Sequence, residues 1–313
     1  MAKCLVTGVA GFIGSTLAER LLADGHEVLG VDSFTPYYAR SIKQQNLAGC
    51  LAHANFSFAE KNLAADDLAP LLRGVQYVFH QAGQPGVLPS WGALFDQYVT
   101  NNITATQRLL EAVKDKPIEK FVFASSSTIY GEATELPVRE TTLPRPIVPY
   151  GVTKLAAEQL VSSYQSQFGV PAVILRYFSV YGPRQRPDIA FYKFIDAIAH
   201  GRLLRIRGDG EQTRDATYVD DIVEANLLVM RANGTATGRV FNIGGGERAS
   251  INHIITLMEQ LLEREARIER VPPAPGEMRH TWADTTQARL VLGYQATVSL
   301  YEGLRKQIGW QLH

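Results

Sequence analysis

Thr7-Gly8-Val9-Ala10-Gly11-Phe12-Ile13-Gly14 decides the reading of this chain. It follows the strand-length run Lys3–Gly8 and leads into a helix-period segment, Ser15–Asp24. Glycines at 8, 11 and 14 permit a tight turn, a close backbone approach to a pyrophosphate, and close packing of helix on strand. The helix then offers free N–H groups and the positive end of its dipole to phosphate oxygens. A glycine turn alone would also suit an ordinary strand–helix connection. Asp32 narrows the choice, because it ends the second apolar run near the offset of about 20 residues where a carboxylate reaches an adenosine ribose. Such a carboxylate accepts hydrogen bonds from both ribose hydroxyls and repels a 2′-phosphate, which favours NAD over NADP. Gly8, Gly11, Phe12, Ile13, Gly14 and Asp32 are therefore cofactor residues on this reading. Lys43 is counted with them, although both it and Arg40 also read as solvated charges.

Working outward, strand-length runs alternate with helical patterns. The expected strands are Lys3–Gly8, Glu27–Asp32, Asn55–Lys61, Tyr77–Gln81, Lys120–Ser125, Ala172–Phe178 and Val240–Ile243. Most are continuous apolar runs, as in parallel strands buried on both faces. The rhythm predicts an α/β fold, a Rossmann-like doubly wound parallel sheet with ligands outside the carboxyl ends of its strands. After about residue 180 the chain becomes rich in loops, with Gly244-Gly245-Gly246 and Pro272-Pro273-Ala274-Pro275. Because Val240–Ile243 still reads as a sheet strand, two interleaved domains are expected. The first comprises 1–178 plus about 215–245, and the second about 179–214 plus 246–313.

Tyr150-Gly151-Val152-Thr153-Lys154 carries the chemistry. Residues four apart on a helix share a face, so Tyr150 and Lys154 can address one ligand. Ser125-Ser126-Ser127-Thr128 ends the run Phe121-Val122-Phe123-Ala124 and places hydroxyls at the sheet's carboxyl edge. A base is needed to take a hydroxyl proton as hydride leaves the same carbon. A free phenol, pKa about 10, is too weakly ionised for this at neutral pH. A neighbouring ammonium and a positive nicotinamide ring would both favour phenolate.

With its Gly-x-x-Gly-x-x-Gly spacing, the chain resembles the extended short-chain dehydrogenase/reductase family of nucleotide-sugar enzymes over nearly its whole length. The resemblance implies Tyr150 as general base and acid, Lys154 as its electrostatic partner and ribose anchor, and Ser126 as the donor that orients the substrate hydroxyl. Ser126 is reached by counting back from Tyr130-Gly131, with Ser127 as the alternative. Gln81, Ala82 and Gly83 of His80-Gln81-Ala82-Gly83 would line the cofactor. Asn62-Leu63 would sit near adenine, in place of the family's Asp-Leu. Asn101 would lie beside the nicotinamide ribose, and Phe178 nearby. Arg214 and Arg279 match positions that clamp a nucleotide diphosphate, a task suited to arginine's fork. Gly86 and Val87 are expected at the sugar.

Family dehydratases carry Asp-Glu after the catalytic hydroxyl, and decarboxylases acting on UDP-glucuronate place Glu where this chain has Thr128. Neither extra acid is present, which leaves 4-epimerisation. UDP-glucuronate 4-epimerases resemble Arg176–Asp188, including Arg186 and a small hydroxyl residue at Ser179, and also resemble Asp32–Tyr38. Ser126, Ser127, Thr128 and Ser179 would hold a substrate carboxylate. Leu88 departs from the Arg often found there. The expected activity is NAD-dependent epimerisation of UDP-glucuronate to UDP-galacturonate through a 4-keto sugar. Alternatives are a UDP-glucose or UDP-N-acetylglucosamine 4-epimerase, a decarboxylase, or a non-catalytic nucleotide sensor. The resemblance also implies a homodimer through the helices containing Phe95–Lys114 and Tyr150–Phe168.

Composition excludes other classes. The 313 residues hold 31 Lys and Arg against 31 Asp and Glu, so the charge expected of a nucleic-acid binder is missing. No apolar run approaches the ~18 residues that suggest a membrane span, and no secretory signal is expected before the first strand. Cys4 and Cys50 read as reduced thiols of a cytoplasmic protein. The seven histidines lack ligand spacing, so no metal is expected.

Overall fold

The computed structural model describes residues 1–245 and 247–312. Gly246 and His313, both assigned to the second domain from sequence, lie outside the described residues. In chain order the strands are β1 (Lys3–Thr7), β2 (Glu27–Asp32), β3 (Phe56–Glu60), β4 (Tyr77–His80), β5 (Lys120–Ser126) and β6 (Ala172–Tyr177). There follow β7 (Ser179–Tyr181), β8 (Leu203–Arg207), β9 (Thr213–Tyr218), β10 (Val240–Ile243), β11 (Arg248–Ser250) and β12 (Arg267–Val271). The helices are α1 (Phe12–Ala23), α2 (Arg40–Leu51), α3 (Phe95–Tyr98), α4 (Ala105–Val113) and α5 (Pro149–Phe168). The later ones are α6 (Ala190–Ala199), α7 (Val219–Arg231), α8 (Ile251–Leu262), α9 (Thr286–Leu292) and α10 (Leu300–Leu312).

Seven strands form one parallel sheet in the order β10-β6-β5-β4-β1-β2-β3. This is the Rossmann-like doubly wound sheet that the sequence predicts. The chain runs from β1 outward through β2 and β3, then returns to the other side of β1 with β4. That reversal opens a crevice at the carboxyl ends of β1 and β4, where such sheets bind ligands. β5 is buried along its whole length, as its unbroken Phe-Val-Phe-Ala run requires. Pro149 occupies the first turn of α5, where its missing N–H costs no bond, and Gly169 stops the helix with φ +70°. Between α3 and α4, residues Val99–Thr104 form a π-turn that continues one helical segment into the next.

The smaller body holds a three-stranded sheet, β11-β9-β7, and the pair β12-β8. Phe191, Ile195, Ile254, Met258 and Leu304 from α6, α8 and α10 fill its core. The chain leaves the large sheet between β6 and β7. The return expected near 215 falls inside β9, which pairs with β7 and β11. The chain rejoins the large body with α7, which packs on α1, and then β10. One part of the predicted division fails. Ala288, Leu292 and Tyr294 pack into the core of the large sheet with Phe241 and Val223, so α9 returns to that body rather than staying in the second. Its apolar face finds the uncovered edge strand β10.

Candidate active site

At the start of α1, Gly11 caps the helix with no side-chain bond and the first turn carries no acid, so among the described residues no side chain answers its N–H groups, and the turn lines the crevice. The glycines are needed for contact, not only for the turn. A Cβ on Gly8, whose φ is +69°, would lie 2.7 Å from the Ala82 Cα, and one on Gly14 would lie 2.2 Å from the Gly8 carbonyl oxygen. Asp32 ends β2 with both carboxylate oxygens anchored, accepting from Ala10 N–H at 3.1 Å and Phe34 N–H at 2.8 Å. Burial raises its carboxyl above the ordinary range, and the Phe34 N–H and the Lys43 charge pull it back. A dinucleotide fits this cradle: phosphates at the bare helix end, a ribose at an acid already fixed in place.

The same crevice brings together most of the predicted cofactor residues: Gly8, Gly11, Phe12, Ile13, Gly14, Asp32, Lys43, Asn62, Leu63, Gln81, Ala82, Gly83, Asn101, Tyr150 and Lys154. Lys43 and Asn62 differ in detail from expectation. Lys43 is not a solvated charge. It is buried, with Nζ donating to the Thr35 carbonyl at 2.8 Å and lying 4.7 Å from the Tyr38 ring centre. Arg40, by contrast, is exposed and pairs with Glu60. Asn62 turns its Oδ1 to Ala64 N–H at 2.9 Å, so one lone pair expected for adenine is already used.

Phe178, the remaining predicted cofactor residue, is not among those that line the crevice. It points away from the crevice into a small cluster with Ile129, Tyr130, Val138 and Ala283. Tyr177 lines the crevice instead, because successive strand residues face opposite sides.

Lys154 donates to the Ala124 carbonyl at 2.5 Å and lies 4.5 Å from the Phe123 ring centre. Burial pushes its ammonium down to about 8. Tyr150 differs from expectation. Burial raises its phenol, and the groups that oppose this are the Ser126 hydroxyl, by hydrogen bonding, and the Arg186 charge. Lys154 is not among the groups that oppose this rise, and its ammonium donates to the Ala124 carbonyl. Ser126 Oγ accepts from Thr128 N–H at 3.2 Å and Thr128 Oγ1 at 2.8 Å, which leaves its own proton to donate toward Tyr150 or a ligand. Ser125 to Thr128 are all buried. Ser125 donates to Glu158, whose carboxylate pairs with Arg176 at 2.5 Å beneath the sheet edge.

Among the predicted substrate residues, Arg186 lines the crevice and pairs with Asp188 at 2.9 and 3.0 Å. Ser179 is half-buried on β7, opposite Ala216 of β9. Gly86 adopts φ +101° against the phenols of Tyr37 and Tyr98, while the Val87 carbonyl accepts from Ser90. Arg214 donates to the carbonyls of Thr213 and Arg279, and burial lowers its guanidinium. Among the described residues it has no ion pair, so an anion would be a favourable partner. Arg279 does not share that state. Its fork is closed on Asp209 at 2.7 Å twice, so a diphosphate would have to displace a carboxylate.

Several crevice residues escaped the sequence reading. Asn102 accepts from Gln84 N–H at 2.6 Å and donates to Thr153, tying the β4 exit to the catalytic helix. Its neighbour Asn101 matched a motif, whereas the π-turn that turns both inward left no periodic signal. Thr35, Tyr37 and Tyr38, which lay in the Asp32–Tyr38 resemblance without individual roles, also line the crevice. Asp188 sat in a quoted segment without a role.

Residues 4–244 match the NAD dependent epimerase/dehydratase family, and the chain belongs to it. A relative from Bacillus subtilis (strain 168), described as an uncharacterized UDP-glucose epimerase, YtcB, is 46% identical over 98% of this chain and 97% of its own. The UDP-glucuronate 4-epimerase of Thermodesulfobacterium geofontis (strain OPF15) is 35% identical over 99% and 96%. Among solved structures, the UDP-glucuronic acid 4-epimerase from Bacillus cereus, in complex with UDP-glucuronic acid and NAD, superposes with a TM-score of 0.97 at 43% identity, covering 99% of each chain.

Proposed function

We propose that this protein is an NAD-dependent UDP-sugar 4-epimerase, an isomerase, and that its sugar is UDP-glucuronate, converted to UDP-galacturonate. The observation that carries the acid-sugar reading is Arg186, a half-buried guanidinium in the same crevice as Tyr150 and close enough to favour its phenolate. NAD, when bound, supplies the acceptor and donor of hydride at the sugar C4. Tyr150 takes the C4 hydroxyl proton as the ketone forms and returns it after the sugar has turned over. Ser126 donates to that oxygen in both orientations. Lys154, held by Ala124, fixes a positive charge beside the ribose. Arg186 holds the substrate carboxylate, with Ser127, Thr128 and Ser179 completing its contacts. The keto intermediate is a β-keto acid that loses carbon dioxide when its carboxylate stands perpendicular to the carbonyl, so firm orientation also suppresses a side reaction. Arg214 and Arg279 receive the diphosphate, the latter after releasing Asp209.

A neutral UDP-hexose is the second reading, favoured by the pairing of Arg186 with Asp188, which balances its charge before any substrate arrives. Incubating purified protein separately with UDP-glucuronate, UDP-glucose and UDP-N-acetylglucosamine separates the two. UDP-galacturonate as the main product is expected. Turnover of UDP-glucose alone would overturn the acid-sugar reading, and UDP-xylose would point to decarboxylation. We further infer a homodimer through α3–α4 and α5, supported by the exposed Trp91, Phe95, Ile147 and Val152 on that side. A cytoplasmic location is supported by Cys4 and Cys50, which remain free and buried.

A further inference from the structure

The segment after β2 does more than follow the ribose-binding acid. Its Tyr37 crosses to the exit of β4, where Gly86 at φ +101° makes room: a Cβ there would lie 2.2 Å from Tyr37 Oη. Tyr37 then donates to Asp188 Oδ2 at 3.2 Å. Asp188 Oδ1 and Oδ2 in turn accept from Nε and Nη2 of Arg186. The guanidinium lies 5.8 Å from the Tyr37 ring centre. Lys43 anchors the root of the same segment through both the carbonyl and the hydroxyl of Thr35. A strap from the cofactor side therefore grips the loop of the sugar side, and the edge of Arg186 not committed to Asp188 is Nη1.

We propose that Tyr37 and Asp188 are positioning residues that set the preference for an acidic sugar, by holding Arg186 with its Nη1 edge turned to the sugar pocket. This rests on the reading of Arg186 as the carboxylate contact. A guanidinium already fixed on one edge loses little freedom when its other edge takes a carboxylate. A neutral hydroxymethyl group gains little from the charge, so loosening Arg186 penalises the acid sugar selectively. Asp188 is also an anion near the substrate carboxylate, and mere competition would act in the opposite direction.

Calorimetric titration of NAD-loaded protein in a Tyr150→Phe background, which halts turnover, reads the two sugars separately. Adding Tyr37→Phe is expected to weaken UDP-glucuronate about tenfold, the effect of one lost hydrogen bond to a charged group, while UDP-glucose moves less than about twofold. Asp188→Asn is expected to weaken UDP-glucuronate as well. Equal changes for both sugars in Tyr37→Phe would mean that the strap only packs, and tighter UDP-glucuronate binding in Asp188→Asn would mean that Asp188 only competes. Either result overturns the proposal. A Tyr150→Phe parent that binds both sugars alike would instead bring down the acid-sugar reading itself, before either strap variant is compared.

Discussion

Two side chains, Tyr150 half-buried and His80 fully buried, show how the surroundings of a residue, rather than its type, set its role. Tyr150 carries a phenol that burial raises and that Ser126 and Arg186 draw back. Tyr150→Phe removes only the proton-transfer oxygen, so NAD should stay bound while kcat falls by about 10²–10⁴. Absorbance of the bound cofactor and product chromatography check both halves. His80 is a base held neutral. It bridges Thr7 at 2.8 Å and Thr106 at 3.0 Å, and burial depresses it from 6.5 to about 3. Between those pH values the unfolded chain binds a proton that the folded chain refuses, so its contribution is present above 6.5 and is lost as pH falls toward 3. Urea midpoints of wild type and His80→Gln should differ most near neutral pH, and the gap should narrow by about pH 4. A gap independent of pH would contradict this.

At the level of elements, the floor of the site is an ion pair shared by three of them. Glu158 of α5 pairs with Arg176 of β6 and accepts from Ser125 of β5, and all three side chains are buried. Arg176 also reaches Tyr130, whose hydroxyl donates to Asn242 of β10. Breaking one half of such a pair leaves a buried charge alone, a loss of about 3–5 kcal/mol. Glu158→Gln should therefore lower unfolding stability by that amount in denaturant titration, whereas replacing both partners with apolar residues should restore part of it. These elements were largely readable from sequence, because β5 and β6 carry the apolar runs Phe121–Ala124 and Ala172–Leu175, and the spacing of Tyr150 and Lys154 marks a helix. Which strand residue faces the ligand was not. The reading chose Phe178, and the sheet turns Tyr177 inward, a one-residue parity that only pairing with neighbours fixes.

For the whole molecule, the crevice is the product of a sheet that reverses direction at β1 and a smaller body that covers its carboxyl edge. Sequence-distant loops meet there, as Tyr37 and Asp188 do. On the outside, Trp91, Phe95, Ile147 and Val152 remain exposed beside α3 and α5. If these helices form the dimer interface, sedimentation should give twice the mass of 34.6 kDa, and Val152→Asp should shift the protein toward the monomer. A monomeric wild type would remove the interface.

The amino-acid order by itself determined the parallel sheet, the glycine turn with its following acid, and the Tyr150–Lys154 pair. Each of these is local, carried by strand runs, by backbone freedom at a few glycines, or by helical spacing. Only the tertiary structure decided that Lys43 is buried under a strap, that Arg279 is closed on Asp209, and that Arg186 is held by Asp188 and Tyr37. Those partners lie far apart along the chain or on loops without periodicity, so their contacts arise from packing and charge in three dimensions, for which sequence spacing leaves no trace.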